Sequence, residues 1–271
     1  MRTHPRVCLS MLSQWNWTVD EDLAYFEREG VDVIGVSLAK MQDGGGWQNY
    51  APRIVDGGYR VANLIGLGPF RLSDPSAWAA QRDRVRDAFD AAEAVDAECI
   101  VLTTGPAGQL SWEDAADAAT EAFAPLLDDA AARGISIAFE HTNGLRVDIG
   151  FLHTLRDAID FARSVGVGVC MEINACWAER GLAETITAGA DLLRLVQVSD
   201  YAVGTLSTPN RLVPGDGDVP LDRILADVLA AGYDGCFDLE LIGPRIDEEG
   251  YESASLRSIA NLTEMLGALG T

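Results

Sequence analysis

The chain has 271 residues, 48% of them hydrophobic, which suits one large domain with a single core. Its 42 acidic residues against 20 basic ones give a formal net charge of −22, a surface that repels nucleic acid and anionic membrane alike. The longest apolar runs are far too short to cross a bilayer, and the opening MRTHPRVCLSML carries no long apolar segment or cleavage site, so a cytoplasmic protein is expected.

Strand-like and helix-like segments alternate along the whole sequence. Strands are predicted near 6–10, 32–38, 60–66, 98–103, 135–140, 167–172, 193–199 and 235–241, and helices near 18–29, 47–57, 75–95, 111–133, 150–165, 178–189, 220–231 and 249–268. Thr18 and Ser111 have the character of helix N-caps, and EREGVD, AARGIS and RSVGVG each place a glycine between helix and strand. Eight such units predict a (β/α)8 TIM barrel, α/β in class, as a single domain over residues 1–271. The longest irregular stretch is DYAVGTLSTPNRLVPGDGDV (200–219), after the seventh strand, and long loops in compact domains are usually functional or mobile. Cys8, Cys99, Cys170, Cys176 and Cys236 form no CxxC pair and read as reduced core thiols.

The last four predicted strands share a pattern. SIAFE, GVGVCME, LRLVQVSD and CFDLE carry Glu140, Glu172, Gln197 and Glu240 at or near their C-terminal ends. Alternation then points Ala138, Cys170 and Asp238 inward with them, and Phe139, Met171, Val196, Val198 and Leu239 outward toward helices. Three carboxylates and an amide oxygen meeting on one rim would repel one another with nothing between them, and one divalent metal ion is the simplest occupant. An all-oxygen donor set favours Mn²⁺ or Mg²⁺ over zinc, and the negative shell calls for a nearby cation or a shared proton. A metal-free polar rim is the alternative.

The chain resembles the xylose-isomerase-like TIM-barrel superfamily over nearly its whole length, through FEHTN (139–143), GVCMEINACW (168–177), VQVSD (196–200), RLVPGDGDVPL (211–221) and FDLEL (237–241). The resemblance implies a divalent metal held by Glu140, Glu172, Gln197 and Glu240, with Glu140 and Glu240 also moving protons and Arg211 contacting substrate. It implies a metal-dependent isomerase or epimerase of a sugar or other polyhydroxy carbonyl compound, working through a metal-stabilised enediolate. A lyase or dehydratase using the same proton abstraction is the second reading, and a non-catalytic barrel the third. The family's nuclease branch is disfavoured by the charge of −22 and by only three histidines. Members often form homo-oligomers. Two departures leave the subfamily open: Glu172 stands where an Asp is usual, and Ala175 where a His is often found.

Other residues carry weaker signals. His141, beside Glu140, is expected to contact substrate or orient the first ligand, with a role-free loop histidine the alternative; His153 is expected to pack or cap in the first turn of the fifth long helix. Trp15, Trp47 and Trp177 follow strands on the presumed active face and are expected to wall the substrate, against plain lid packing. Lys40 reads as a solvated lysine or a partner for substrate, and Asp200 as an anchor for the long loop or for Arg211. Inward-pointing Asp238 needs a hydrogen-bond partner, and Gly44–Gly46 read as a lid or hinge.

Overall fold

In the computed structural model, which describes residues 3–270, eight parallel strands pair in strict chain order and close into a barrel. Met1, Arg2 and Thr271, at the ends of the expected domain span and opening segment, lie outside the described residues. The strands are β1 (Val7–Ser10), β2 (Val33–Ser37), β3 (Arg60–Ile65), β4 (Ile100–Thr103), β5 (Ile137–Glu140), β6 (Gly168–Glu172), β7 (Leu193–Val198) and β8 (Phe237–Leu239). The helices are α1 (Val19–Glu29), α2 (Leu38–Asp43), α3 (Trp47–Asp56), α4 (Trp78–Ala94), α5 (Trp112–Arg133), α6 (Leu155–Val165), α7 (Ile173–Cys176), α8 (Leu182–Gly189), α9 (Leu221–Ala230), α10 (Pro244–Glu249) and α11 (Tyr251–Ala268). No helix among the described residues is long and apolar enough to cross a membrane.

The period-two pattern sorts the core into two layers. Ile137 and Phe139, Val169 and Met171, Val196 and Val198, and Phe237 and Leu239 belong to the large cluster between sheet and helices. Cys8, Cys99, Ala138, Cys170, Leu195 and Cys236 form the separate cluster inside the barrel. All five cysteines are free and buried. The outer layer fixes the inner one: Phe139 stacks edge-on against Phe123 of α5 at 5.0 Å between ring centroids and lies 5.6 Å from Phe161 of α6. Each such aromatic pair contributes about 0.5–1.5 kcal/mol beyond its buried area. With Phe139 locked outward, its neighbour Glu140 is held inward.

The helix ends follow local chemistry. Thr18 and Glu21 form a reciprocal capping box on α1, and the Ser111 hydroxyl accepts from the Asp114 amide at the start of α5. Gly30 closes α1 at φ 68°, a left-handed conformation that costs glycine nothing. Where expectation and structure differ, capping is usually the cause. The helix expected from 150 begins at Leu155 because Thr154 caps it, accepting from the Asp157 amide at 3.0 Å. His153 is therefore a loop residue and not part of the first turn. The helix expected over 249–268 is α11, which begins at Tyr251 after Gly250, and the short α10 before it was not anticipated. Gly44–Gly46 form the turn between α2 and α3, in place of a lid.

The stretch 200–219 has no helix of its own, yet Asp200 organises it. Its carboxylate accepts the backbone amides of Tyr201 and Gly215 at 2.8 Å and of Gly217 and Val219 at 3.0 Å. Its backbone also pairs with Leu212 in a short antiparallel bridge. Arg211 is not its partner. Asp200→Ala is expected to lower the free energy of unfolding by about 3 kcal/mol, because four amides lose one charged acceptor. Urea denaturation measures this, and Asp200→Asn, which keeps an acceptor oxygen, should lose distinctly less.

Candidate active site

The four strand-end side chains gather at one mouth of the barrel; Glu140, Glu172 and Glu240, with Arg211, line a cavity of about 320 Å³, and Gln197 sits behind Glu240 outside that lining. Glu140 and Glu172 end β5 and β6, Gln197 is the penultimate residue of β7, and Glu240 lies one residue beyond β8. All four are buried. Strand register aligns them in pairs: Glu172 is opposite Gln197, and Gln197 is opposite Asp238, two residues before Glu240.

The cation demanded by this charge comes from the long loop. Arg211 reaches in with one guanidinium nitrogen on Glu172 Oε2 and another on Glu240 Oε1. Its side chain is 13% exposed, against 4% for Glu172 and 7% for Glu240. Burial works against a charged guanidinium, but Glu172, Glu240 and Glu140 more than offset it and keep Arg211 protonated well above its ordinary range. The remaining carboxylate oxygens are also engaged. The Asn174 amide donates to Glu172 Oε1 at 2.9 Å, and Gln197 Nε2 donates to Glu240 Oε2. Consequently no three His, Cys, Asp or Glu side chains among the described residues already stand as a metal-holding group.

Glu140 is the odd member. Among the described residues no hydrogen bond or ion pair reaches its carboxylate, and burial, with Glu240 and Glu172 beside it, pushes its pKa well above the ordinary range. Burial also raises Glu172 to about 7, although Arg211 pulls it down. Beneath them, Asp238 is fully buried and accepts from the Cys8 thiol at 3.0 Å, the partner its inward position required. It converges with Asn63 over Gly35, where a methyl group would come within 2.9 Å of Asn63 and 3.1 Å of Asp238. Burial lifts Asp238 to about 7 as well.

Several other side chains fall elsewhere than expected. His141 is buried and absent from the cavity lining; its Nε2 accepts the Glu172 amide at 3.2 Å, so the ring braces the end of β6. Burial holds its pKa down to about 3, so it is neutral, with Nδ1 unpartnered. His153 Nδ1 lies 3.2 Å from the Thr142 carbonyl oxygen and ties down the loop after β5. Of the three tryptophans only Trp15 lines the cavity. Trp47 donates its indole N–H to Asp87 at 3.0 Å, and Trp177 packs on the outer core, both because their hydrocarbon is taken up by helix packing. Lys40 is neither solvated nor at the cavity: it pairs with buried Asp22 and donates to the carbonyls of Met11 and Gln14 at 3.1 Å. The reading of residues one by one missed Thr103, Thr142, Asn143, Arg146 and Asn174 on the cavity wall. Three of these sit inside the FEHTN and MEINACW motifs, within three residues of a candidate ligand, and that proximity was the available signal.

The chain belongs to the Xylose isomerase-like TIM barrel family, whose sequence profile matches residues 35–262. Among solved structures it is similar to a protein from Sinorhizobium meliloti, with a TM-score of 0.88 at 21% identity over 96% of this chain and 98% of that one. It is likewise similar to the IolI protein solved with a zinc atom, with a TM-score of 0.84 at 16% identity over 98% and 99% of the two chains. D-psicose 3-epimerase with D-tagatose from Clostridium cellulolyticum gives a TM-score of 0.75 at 15% identity over 98% and 100%. No curated protein matches the sequence.

The raised carboxyls make stability depend on pH. The folded protein holds protons on Glu172 and Asp238 up to about pH 7, whereas the unfolded chain releases them near the ordinary values of 4.5 and 3.8. Stability contributed by these protons is therefore full below those ordinary values and lost as pH rises through about 7, with a slope of at most about 1.4 kcal/mol per pH unit for each group. Denaturation of chelator-treated protein across this range should show the decline, and Asp238→Asn should flatten it.

Proposed function

We propose that the protein is an isomerase or epimerase of a polyhydroxy carbonyl compound, removing a proton beside the carbonyl and returning one elsewhere. The observation that carries this reading is the pairing of two unlike carboxylates at one cavity. Glu140 is buried and unbonded, while Glu240 is held by Arg211 and Gln197. Family membership and the likeness to a protein named as an epimerase support it.

The donor set fits a divalent cation. Gln197 Oε1 is buried without a partner, and the Glu140 carboxylate accepts no hydrogen bond. With all three glutamates ionised, as ligation of a cation would require, one guanidinium would leave two negative charges for a dication to neutralise. Glu140, Glu172, Gln197 and Glu240 would hold it, with Arg211 competing for two of them; hard oxygen donors favour Mn²⁺ or Mg²⁺. When bound, such an ion would polarise the substrate carbonyl and acidify the neighbouring C–H.

The chain's own residues supply the rest. One of Glu140 and Glu240 takes the carbon-bound proton, and the other delivers a proton to the product. Glu172 and Gln197 position, and Arg211 offers its guanidinium to the oxygen on which negative charge develops.

Elemental analysis of protein purified without chelator is expected to find near-stoichiometric Mn or Mg, reduced in Glu240→Gln. With keto-sugars and hydroxy-keto acids in deuterated water, NMR should show exchange beside the carbonyl, slowed by about 10²–10⁴-fold in Glu140→Gln. Absence of bound metal, together with no thermal shift on adding Mn²⁺, would sink this mechanism.

A further inference from the structure

The cavity has two unlike halves. Strands β5–β8 and their loops contribute the charged and amide groups, Glu140, Glu172, Arg211, Glu240 and Asn174. Strands β1–β4 and their loops contribute Leu12, Ile65, Leu67, Pro69 and Val101, with Thr103 as the hydroxyl and the Gly66 and Gly68 backbone as the other polar surface. A compound bearing hydroxyls along its whole length would press several of them against hydrocarbon, and a polar group buried without a hydrogen bond is penalised.

Apolar surface also continues outward from the cavity along the loops after β1, β7 and β8. Trp15, Pro209 and Ile242 line both the main cavity and an adjoining groove of about 270 Å³, whose further wall includes Pro244 and Tyr251. Trp15 is 55% exposed at this junction. Among the described residues, five of the eight exposed large apolar side chains lie on loops that follow β1, β5 and β7, and a sixth, Trp112, opens α5 after β4. Of these side chains Trp15 lines both the cavity and the groove, where an apolar ligand group would give it cover.

We infer that the substrate gathers its hydroxyls beside the carbonyl, facing β5–β8, and carries an aryl or alkyl group beyond them, facing β1–β4 and Trp15. This rests on the isomerase reading for the hydroxycarbonyl end, while the apolar end rests on the cavity wall alone.

The test is calorimetric titration of the protein, with Mn²⁺ present, by three probes: α-hydroxyacetophenone, erythrulose and acetophenone. The hydroxyacetophenone is expected to bind at least about tenfold more tightly than erythrulose. Val101→Thr, which places a hydroxyl on the apolar wall at nearly constant volume, should narrow that gap. Leu67→Ser, at a half-buried position, gives a second variant if Val101→Thr lowers thermal stability. Erythrulose binding as tightly as the aryl compound overturns the inference and leaves the isomerase reading standing. Acetophenone equalling α-hydroxyacetophenone upholds the apolar half and counts against the hydroxycarbonyl reading. Failure of both aryl compounds to bind at millimolar concentration overturns the inference.

Discussion

The fork of Arg211 across Glu172 and Glu240 is the contact on which the mouth of this barrel depends. Three glutamates and an aspartate are buried within two layers of side chains, and carboxylates cannot all ionise there without an opposing charge. The guanidinium suits this place because its planar donors reach two carboxylates at once and it stays charged despite burial. Glu140, which receives no such contact, shows what happens otherwise: its carboxyl is driven toward the protonated form.

Because the cation arrives on a loop, the site's electrostatics depend on how that loop is held. Asp200 gathers four amides from it, and the Arg211 amide donates to the Ile242 carbonyl at 3.0 Å, stitching the loop to the chain just beyond Glu240. That stitch needs Gly243, where a side-chain carbon would come within 2.8 Å of the Arg211 nitrogen. On the other side, the Ser13 hydroxyl donates to the Leu239 carbonyl at 2.7 Å and accepts the Leu241 amide at 3.0 Å, bracketing Glu240 from the segment just after β1. Backbone contacts on both flanks thus fix the carboxylate and the guanidinium relative to each other, as a preorganised charged site requires.

The barrel and its rim were legible in sequence because both follow from strict periodicities. Alternation alone separated Phe139 from Ala138 and Met171 from Cys170, and the two core layers fall on those assignments. Oxygen-bearing residues at the ends of four successive strands then had to share one face. The need for a cation was also readable from charge, while Asp200 was read through the resemblance as an anchor for the long loop or for Arg211, and the loop proved to be its partner. What periodicity could not supply was where loop and helix-end side chains turn. Trp47 finds Asp87, 40 positions away in sequence, and Lys40 finds Asp22, both across helix interfaces whose packing no local pattern specifies. His141 stands next to a strand-end glutamate, but alternation sends adjacent side chains to opposite sides, so it turns away from the cavity that Glu140 enters.

The interior beneath the mouth sharpens the same electrostatic argument. Barrel interiors are commonly packed with branched aliphatic side chains. Here Cys8, Cys99, Cys170 and Cys236 occupy much of that space, with Asp238 and Asn63 among them. Thiols are small and donate only weakly, so the Cys8 contact is a weak one for a buried carboxyl. That carboxyl resists ionisation at neutral pH, and if it ionised it would add to the negative field on Glu240 and Glu140 directly above. The protein's own means of neutralising this column are protons on its carboxyls and the one guanidinium from the loop. Any ligand that draws Arg211 toward itself must therefore return positive charge or protons to Glu172 and Glu240, which couples what enters the cavity to the charge state of the barrel below it.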